Sequence, residues 1–320
     1  MEIILAIVIL AIGFYPLLKG ADLLVKGASS LAKLLSISEI IVGLTIVAFG
    51  TSMPEFIVNM ISSIEGYNDI VFGNIIGSNI FNILVILGIS GLVMPLLIKG
   101  NLLMRDMPYS LLAAVVLFVL VNDKIVLNAD NNTLSRIDGV IFLILFMYFI
   151  YYLFKTAKRG KTPVGEITAY SKTRTYLYIS VGLFALFAGG KLIVDSSVEI
   201  AEYFGISQKL IALTIIAGGT SLPELATSVV AAYRKKYDIS VGNIIGSNIF
   251  NSLFILGIGA VIKPAAYNTI MNFDIFVLFF TTIYLFMVVY ANKEKVLTRF
   301  WSFMMLVFYV LYIIYLFYRK

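Results

Sequence analysis

The chain of 320 residues contains no cysteine and no histidine. The first absence excludes disulfide bonds and thiolate metal sites, and the second removes the usual metal ligand and the usual proton relay near neutral pH. Charged residues are also scarce, at 13% of the chain against roughly 25% in soluble proteins. Because 60% of the residues are hydrophobic, the composition predicts a polytopic integral membrane protein. We expect no cofactor and no nucleic-acid partner.

The hydrophobic runs leave room for ten membrane-spanning helices, each of which needs about 20 apolar residues. We predict spans at 3–34, 38–65, 69–97, 107–122, 136–154, 175–203, 207–234, 238–262, 271–291 and 299–318. A basic linker separates the first five spans from the last five, and its six lysine and arginine residues are opposed only by Glu166. The predicted segments are therefore a first half at 1–154, a linker at 155–174 and a second half at 175–320.

Two sequence blocks occur twice, each time 169 positions apart. The first reads GLTIVAFGTSMPE, ending at Glu55, and returns as ALTIIAGGTSLPE, ending at Glu224. The second reads FGNIIGSNIFN at 72–82 and VGNIIGSNIFN at 241–251. Apolar composition alone does not reproduce an ordered run of Gly, Asn and Ser, so the chain is an internal duplication. With five spans in each copy, the copies enter the membrane from opposite sides, which predicts an inverted repeat of the kind used by many secondary transporters.

Basic residues predict the orientation of the spans. If the N-terminus is outside, the cytoplasmic loops hold 15 of the 24 lysine and arginine residues, and the outer loops with the C-terminus hold six. The positive-inside rule then places both termini outside and the linker 155–174 in the cytoplasm. We expect the protein to lie in the plasma membrane.

Each copy of the first block places a glutamate beside an expected helix break. Pro54 disfavours helix in the preceding residue and removes a hydrogen-bond donor, and Gly50 adds backbone freedom, so span 38–65 should break near residues 50–53. A break within the membrane is tolerated where it is buried or lines a wet cavity. It frees carbonyl oxygens, which suit Na⁺ and Ca²⁺. A carboxylate at this depth costs about 2.5–3.5 kcal/mol, and the interiors of the four spans that hold the repeated blocks, 38–65, 69–97, 207–234 and 238–262, carry no lysine or arginine to neutralise it. We interpret the two glutamates as cation ligands.

Two local interpretations accompany this one. Ser52 and Glu55, like Ser221 and Glu224, match the capping box, in which serine caps a helix and glutamate reaches back; capping would also aim the carboxylate. In the second block Asn74, Ser78 and Asn82 are four residues apart and share one helix face, as do Asn243, Ser247 and Asn251. We expect these amide and hydroxyl oxygens to face the carboxylates and complete an oxygen cage.

Other intramembrane charges have a simpler interpretation. Asp22 and Lys26 are four residues apart on span 1, and Lys191 and Asp195 are four apart on span 6. This spacing predicts local ion pairs. The opening span of each half is also duplicated, because Gly13 and Gly20 align with Gly182 and Gly189 at the same offset of 169.

Together the two pairs of blocks resemble the Ca²⁺/cation antiporter superfamily, specifically its sodium/calcium exchanger branch in a minimal archaeal or bacterial layout. The resemblance covers essentially the whole chain. It implies a Ca²⁺ site formed by Glu55 and Glu224 with the backbone carbonyls of Thr51 and Thr220. It implies flanking Na⁺ sites, with Asn82 and Asn251 lining the centre; the Na⁺ ligands would be Ser52, Ser78, Ser221 and Ser247 with the carbonyls of Ala48 and Ala217. Exchangers of this branch often carry aspartate at the position of Asn251, so the site here has two carboxylates.

These observations predict an all-α membrane antiporter, not an enzyme, that exchanges Na⁺ for Ca²⁺ by alternating access within the lipid bilayer, as a monomer. Two carboxylates balance one Ca²⁺, and three Na⁺ would leave one net charge, so transport should be electrogenic. The alternative is H⁺/Ca²⁺ exchange through protonation of Glu55 and Glu224. A channel is disfavoured because a closed oxygen cage binds too tightly for fast flux. An intramembrane enzyme with a glutamate dyad would need a nucleophile or metal that a chain without His or Cys lacks.

Overall fold

The computed structural model describes residues 2–98, 100–126, 128–157, 170–205 and 217–319. Its helices, in chain order, are α1 (Glu2–Leu34), α2 (Glu39–Thr51), α3 (Met53–Glu65), α4 (Asn68–Val93), α5 (Leu102–Val121), α6 (Asp123–Val126), α7 (Arg136–Ala157), α8 (Lys172–Tyr203), α9 (Ala217–Thr220), α10 (Leu222–Tyr233), α11 (Tyr237–Ile262), α12 (Thr269–Ala291) and α13 (Arg299–Tyr318). Eight helices in the described ranges are long and apolar enough to cross a membrane, or nine if the bent pair α2–α3 counts as one span. The predicted all-α membrane class is confirmed. Residues 207–216 of the predicted span 207–234 lie outside the described residues.

The predicted break in the second span is present. α2 and α3 meet at an angle of 50°, and Ser52 between them has φ −80° and ψ 11°, outside the helical region. Pro54 lies in the first turn of α3, where its missing N–H costs no helical hydrogen bond. Ser221 separates α9 from α10 in the same way, with φ −89° and ψ 8°, and Pro223 opens α10. Both glutamates therefore lie in the first turn of a helix that begins directly after a break.

Some predicted boundaries are wrong. The third span, predicted at 69–97, ends at Val93, because Pro95 forces the residue before it out of the helix and Met94 is extended. The fourth span begins at Leu102, five residues before the predicted 107, because the adjacent Arg105 and Asp106 form an ion pair that neutralises both charges. Helices α7 and α8 extend into the predicted linker, to Ala157 and from Lys172. The rest of the linker, 158–169, lies outside the described residues.

Four helices in the described ranges contain a π-helical stretch that was not predicted: α2 at Gly43–Val47, α5 at Leu102–Asp106, and the two long helices α4 and α11. In α4 the wider turns run from Asn82 to Leu87, and in α11 from Phe250 to Ile255. Such turns change the direction of side chains and often occur at functional sites. The stretches in α4 and α11 each lie at a predicted site residue, Asn82 or Asn251.

Short antiparallel strands connect loops of the first half of the chain to loops of the second half. β1 (Leu96–Leu97) pairs with β4 (Val296–Leu297), and β2 (Thr133–Leu134) pairs with β3 (Ala265–Ala266), both antiparallel. Each pair joins a loop of the first half to a loop of the second. The halves are thus interlocked around a common centre, where α2, α3, α4, α10 and α11 pack together.

The longest helices, α1 and α8, pack along each other outside this centre. Their backbones approach closely at glycines: a Cβ built on Gly20 would lie 2.7 Å from the carbonyl oxygen of Gly182. Likewise, a Cβ built on Gly189 would lie 2.5 Å from the backbone nitrogen of Leu17. Small residues are the usual means by which membrane helices approach each other this closely. A hydrogen bond of 2.7 Å between Ser30 Oγ and Thr175 Oγ1 also joins the two helices.

Candidate ion site

The two repeated glutamates lie at the centre of the molecule and are 1% exposed each. Ser221 Oγ donates to Glu55 Oε1 at 2.8 Å, and Ser52 Oγ donates to Glu224 Oε1 at 2.8 Å. Each serine at a helix break thus contacts the carboxylate of the opposite half of the chain. The capping-box interpretation is wrong for the serines, because neither side chain bonds the backbone of its own helix. The second oxygen of each carboxylate, Oε2, is buried without a hydrogen-bond partner among the described residues.

Asparagines form a second crossed pair beside the carboxylates. Asn82 Nδ2 donates to Asn248 Oδ1 at 2.9 Å, and Asn251 Nδ2 donates to Asn79 Oδ1 at 3.1 Å. Because the amide nitrogens are used in this way, the Oδ1 atoms of Asn82 and Asn251 remain, buried and without a partner in the described part of the chain. The predicted role of these two residues as oxygen donors fits this arrangement.

Sequence reasoning missed Asn79 and Asn248. The spacing of four residues selected Asn74, Ser78 and Asn82 as one helix face, and Asn79 lies outside that face. A signal was nevertheless present, since Asn79 and Asn248 belong to the repeated GSN triplet at the same offset of 169 as the glutamates.

The remaining predicted ligands lie around this centre. Thr51, Ser78 and Ser247 are buried, and Ser78 Oγ is 3.4 Å from Ser221 Oγ. Ala48 is buried, and its carbonyl oxygen accepts from the backbone nitrogen of Ser52 at 3.0 Å. Thr220 is half-buried, and the side chain of Ala217 lies outside the described residues.

Asn243, expected on the ligand face, has other partners. Its Oδ1 accepts from Thr51 Oγ1 at 3.1 Å, and its Nδ2 donates to Ser228 Oγ at 3.1 Å. Both polar atoms of this side chain are therefore used in contacts between helices, and Asn243 supports Thr51.

The buried side-chain oxygens at the centre are of the kinds that bind hard cations. Buried polar atoms normally have hydrogen-bond partners, yet five buried oxygens here have none among the described residues: Glu55 Oε2, Glu224 Oε2, Asn82 Oδ1, Asn251 Oδ1 and Ser247 Oγ. All ion pairs found in the described ranges involve other acidic residues, so neither glutamate is neutralised by a lysine or arginine there. Two carboxylates and neutral oxygens are ligands that Ca²⁺, with its about six to eight oxygen contacts, accepts.

Charged residues also connect α1 to the centre. The predicted ion pairs are confirmed, at 2.8 Å for Lys26–Asp22 and 2.9 Å for Lys191–Asp195. Asp22 has a second partner that the sequence did not predict: Arg234, just after α10, forms an ion pair with it. This contact bridges α1 and the end of α10.

The chain is similar to known proteins over most of its length. The family model described as "Sodium/calcium exchanger protein" matches residues 5–155 and 175–318, on either side of the predicted linker. The chain is 31% identical to the sodium/calcium exchanger MaX1 of Methanosarcina acetivorans, over 97% of this chain and 98% of that protein. It is 38% identical to the putative antiporter CaxA of Alkalimonas amylolytica, over 82% of each chain. Its structure superimposes on that of the sodium-calcium exchanger NCX_Mj soaked with Na⁺ and Sr²⁺, with a TM-score of 0.82 at 30% identity, over 97% of this chain and 98% of that one.

Proposed function

The chain belongs to the sodium/calcium exchanger family, and on that premise we propose that it exchanges Na⁺ for Ca²⁺ by alternating access. It is a multi-pass membrane protein of a transporter family and serves cation/Ca²⁺ antiport. The proposal of Na⁺/Ca²⁺ exchange rests on four buried carboxylate and amide oxygens that have no hydrogen-bond partner among the described residues, on Glu55, Glu224, Asn82 and Asn251.

Ca²⁺ would bind between the two carboxylates, whose combined charge of minus two balances one divalent ion. The amide oxygens of Asn82 and Asn251 add neutral ligands, and the resemblance adds the backbone carbonyls of Thr51 and Thr220. Leaving the two carboxylates without a cation would be unfavourable, because an uncompensated buried charge costs several kcal/mol. An empty site should therefore resist crossing between states, which makes exchange obligatory.

Na⁺ would bind at the hydroxyls that surround the carboxylates. A serine that donates its hydrogen to a carboxylate, as Ser52 and Ser221 do, keeps lone pairs that a cation can use. Ser78 and Ser247, with the carbonyls of Ala48 and Ala217, complete the proposed Na⁺ ligands. Three Na⁺ exchanged for one Ca²⁺ would carry one net charge in each cycle.

The alternative is H⁺/Ca²⁺ exchange, in which protons on Glu55 and Glu224 replace Na⁺. The names of the relatives do not distinguish the two, since MaX1 is called a sodium/calcium exchanger whereas the name of CaxA, a putative antiporter, gives no coupling ion. We favour Na⁺ because serine hydroxyls and asparagine amides bind cations but do not titrate in the physiological range.

We further propose ten spans in two inverted repeats, with both termini outside and the linker 155–174 in the cytoplasm. Contacts between loops support the inversion. Lys236, which follows α10, pairs with Glu39 at the start of α2 at 2.9 Å, whereas α3, the counterpart of α10, ends at Glu65 on the far side of the bent span. Helices α1 and α8 would move as one unit past the central helices.

Purified protein in liposomes tests the coupling ion. Uptake of radioactive Ca²⁺ should follow an outward Na⁺ gradient with the pH equal on both sides. It should fail with an outward proton gradient in the absence of Na⁺. Uptake driven by the proton gradient alone would establish the alternative.

A further inference from the structure

Asn79 and Asn248 have a role that follows from their hydrogen bonds. Asn79 Oδ1 accepts from Asn251, and Asn248 Oδ1 accepts from Asn82, so each serves the asparagine of the other half. An asparagine side chain can turn its amide by about half a turn with little cost, exchanging its oxygen for its nitrogen. A hydrogen-bond acceptor held beside the amide nitrogen prevents this rotation. The amide oxygen of the same side chain then faces away from that acceptor.

The two acceptors are themselves held in place. Asn79 Nδ2 donates to Ser252 Oγ at 2.8 Å, and Asn248 Nδ2 donates to the backbone oxygen of Asn79 at 3.1 Å. Both residues are 1% exposed. With their nitrogens bound, their oxygens accept hydrogen bonds from Asn251 and Asn82 and do not face the ion itself. These residues are therefore not themselves placed to bind the cation.

We propose that Asn79 and Asn248 are positioning residues that fix the amide oxygens of Asn251 and Asn82 toward the transported cation, each acting across the two halves of the chain. This inference rests on the proposed ion site. It adds that the geometry of the site in each half depends on the other half, as it does for the crossed Ser52 and Ser221 contacts.

A double-mutant cycle on Ca²⁺ affinity tests the proposal, with the dissociation constant measured by isothermal titration of purified protein. Asn79→Ala and Asn251→Ala should each weaken binding about five-fold, the loss expected for one hydrogen bond. The double variant should be little weaker than the single ones. Asn79 and Asn82 are not hydrogen-bonded to each other, so the variant with Asn79→Ala and Asn82→Ala should instead lose Ca²⁺ affinity by nearly the product of the two single losses. If the loss of Ca²⁺ affinity in the variant carrying both Asn79→Ala and Asn251→Ala equals the product of the two single losses, the proposal is overturned.

The mirror cycle, Asn248→Ala with Asn82→Ala, gives the same test if the Asn79 variants do not fold. Asn59→Ala is the matched control, because Asn59 is fully buried and its amide holds the backbone oxygen of Val71 at 2.8 Å, outside the site. It should lower thermal stability and leave Ca²⁺ affinity unchanged. The variant Glu55→Gln distinguishes the ion site from the positioning role. If it binds Ca²⁺ as tightly as the unmodified protein, the ion site is refuted. If it loses Ca²⁺ binding but the losses of affinity in the asparagine cycles simply multiply, only the positioning role is refuted.

A second, independent observation concerns charges outside the site. The offset of 169 relates Asp22 to Lys191, Lys26 to Asp195 and Arg234 to Glu65, and at each position the sign of the charge is exchanged. Asp22 of α1 pairs with Arg234 beyond α10. The related pair would be Lys191 of α8 with Glu65 at the end of α3, also of opposite sign.

Only the first of these pairs is formed in the described structure. α1 packs against α10, whereas α8 and α3 make no comparable contact among the described residues. The side chain of Asp22 is 20% exposed, but that of Lys191 is 77% exposed and bonds only Asp195 within the described ranges. Glu65 is exposed. Because Arg234 lies near the start of α2 and Glu65 at the end of α3, the pairs lie at opposite ends of the molecule.

We infer that Asp22–Arg234 and Glu65–Lys191 are alternating locks, one formed in each of the two states of the transport cycle. Movement of α1 and α8 past the central helices would break the first pair and form the second. The exchange of signs keeps each pair attractive and leaves the two states similarly stabilised.

Disulfide trapping tests the locks, since the chain has no cysteine. In a variant with Glu65→Cys and Lys191→Cys, the two cysteines should form a disulfide under mild oxidation. Adding Arg234→Gln should raise the rate of disulfide formation about three-fold, because it removes the competing Asp22–Arg234 pair. Lys26→Gln, which removes only the local partner of Asp22, is the matched control and should leave the rate unchanged. A pair at 65 and 191 that does not cross-link in either background, in protein that still transports Ca²⁺, would overturn the inference. Absence of transport in the unmodified protein would instead refute the proposed function.

Discussion

Substitution by alanine should change the stability of the protein in opposite directions at two adjacent glycines of α8, Gly189 and Gly190. A Cβ added at Gly189 would lie 2.5 Å from the backbone nitrogen of Leu17 and 2.8 Å from the carbonyl oxygen of Gly13, whereas one added at Gly190 meets no described atom within 4 Å. Favourable contacts of carbon begin near 3.5 Å, so Gly189→Ala must push α1 away by about 1 Å.

The magnitude follows from two opposing terms. Overpacking of this kind costs about 1–3 kcal/mol, and the better helix propensity of alanine returns up to about 1 kcal/mol. Gly190→Ala has the better helix propensity of alanine without the cost of overpacking. The free energies of unfolding of the two variants should therefore differ by about 1–3 kcal/mol, with Gly189→Ala the less stable.

Thermal unfolding of the purified variants in detergent without Ca²⁺ measures this difference. Gly190→Ala should unfold at or above the temperature of the unmodified protein, and Gly189→Ala below it. If Gly189→Ala proves as stable as Gly190→Ala, the close packing of α1 on α8 is refuted, and with it the proposal that they move as one unit.

Three further predictions concern transport. Asn251→Asp should change the competition between Na⁺ and Ca²⁺, because it raises the charge of the site from minus two to minus three; competition curves and Ca²⁺ affinity that overlay the unmodified protein would place residue 251 outside the site. Transport should respond to voltage, since about 100 mV acting on one net charge contributes about 2.3 kcal/mol, or an about fifty-fold change in the Ca²⁺ gradient at equilibrium; a gradient unaffected by a potassium diffusion potential excludes the three-to-one exchange. Lys161→Cys should react with an impermeant thiol reagent only from the cytoplasmic side, and labelling from outside would reverse the proposed topology.

The sequence predicted those parts of the site that depend on local chemistry. Pro54 and Gly50 marked the helix break, and the absence of neutralising cations marked Glu55 and Glu224 as exceptional in an apolar span. The offset of 169 placed Asn82 and Asn251 in equivalent positions. These features need only neighbouring residues or a direct comparison of the two halves.

The contacts between the halves could not be predicted in this way. Ser52 matches a capping box within four residues, yet its hydrogen-bond partner is Glu224, 172 positions away. Asn79 was missed because its partner Asn251 lies on another helix, 172 positions along the chain. The π-helical stretches at Asn82 and Phe250 also escaped prediction, because composition does not distinguish them from regular helix in an apolar run.

Ca²⁺ uptake by liposomes containing Glu55→Gln or Glu224→Gln tests the central claim most directly. Glutamine keeps the size of the side chain and removes its charge, so driving uptake with an outward Na⁺ gradient isolates the role of each carboxylate. Glu199→Gln, at an exposed glutamate of α8, is the matched control and should transport normally. Because an unbalanced buried ionic site loses about 3–5 kcal/mol, both site variants should fall more than about one hundred-fold while remaining folded. Uptake within about twofold of the unmodified protein in either variant would contradict the assignment of the ion site.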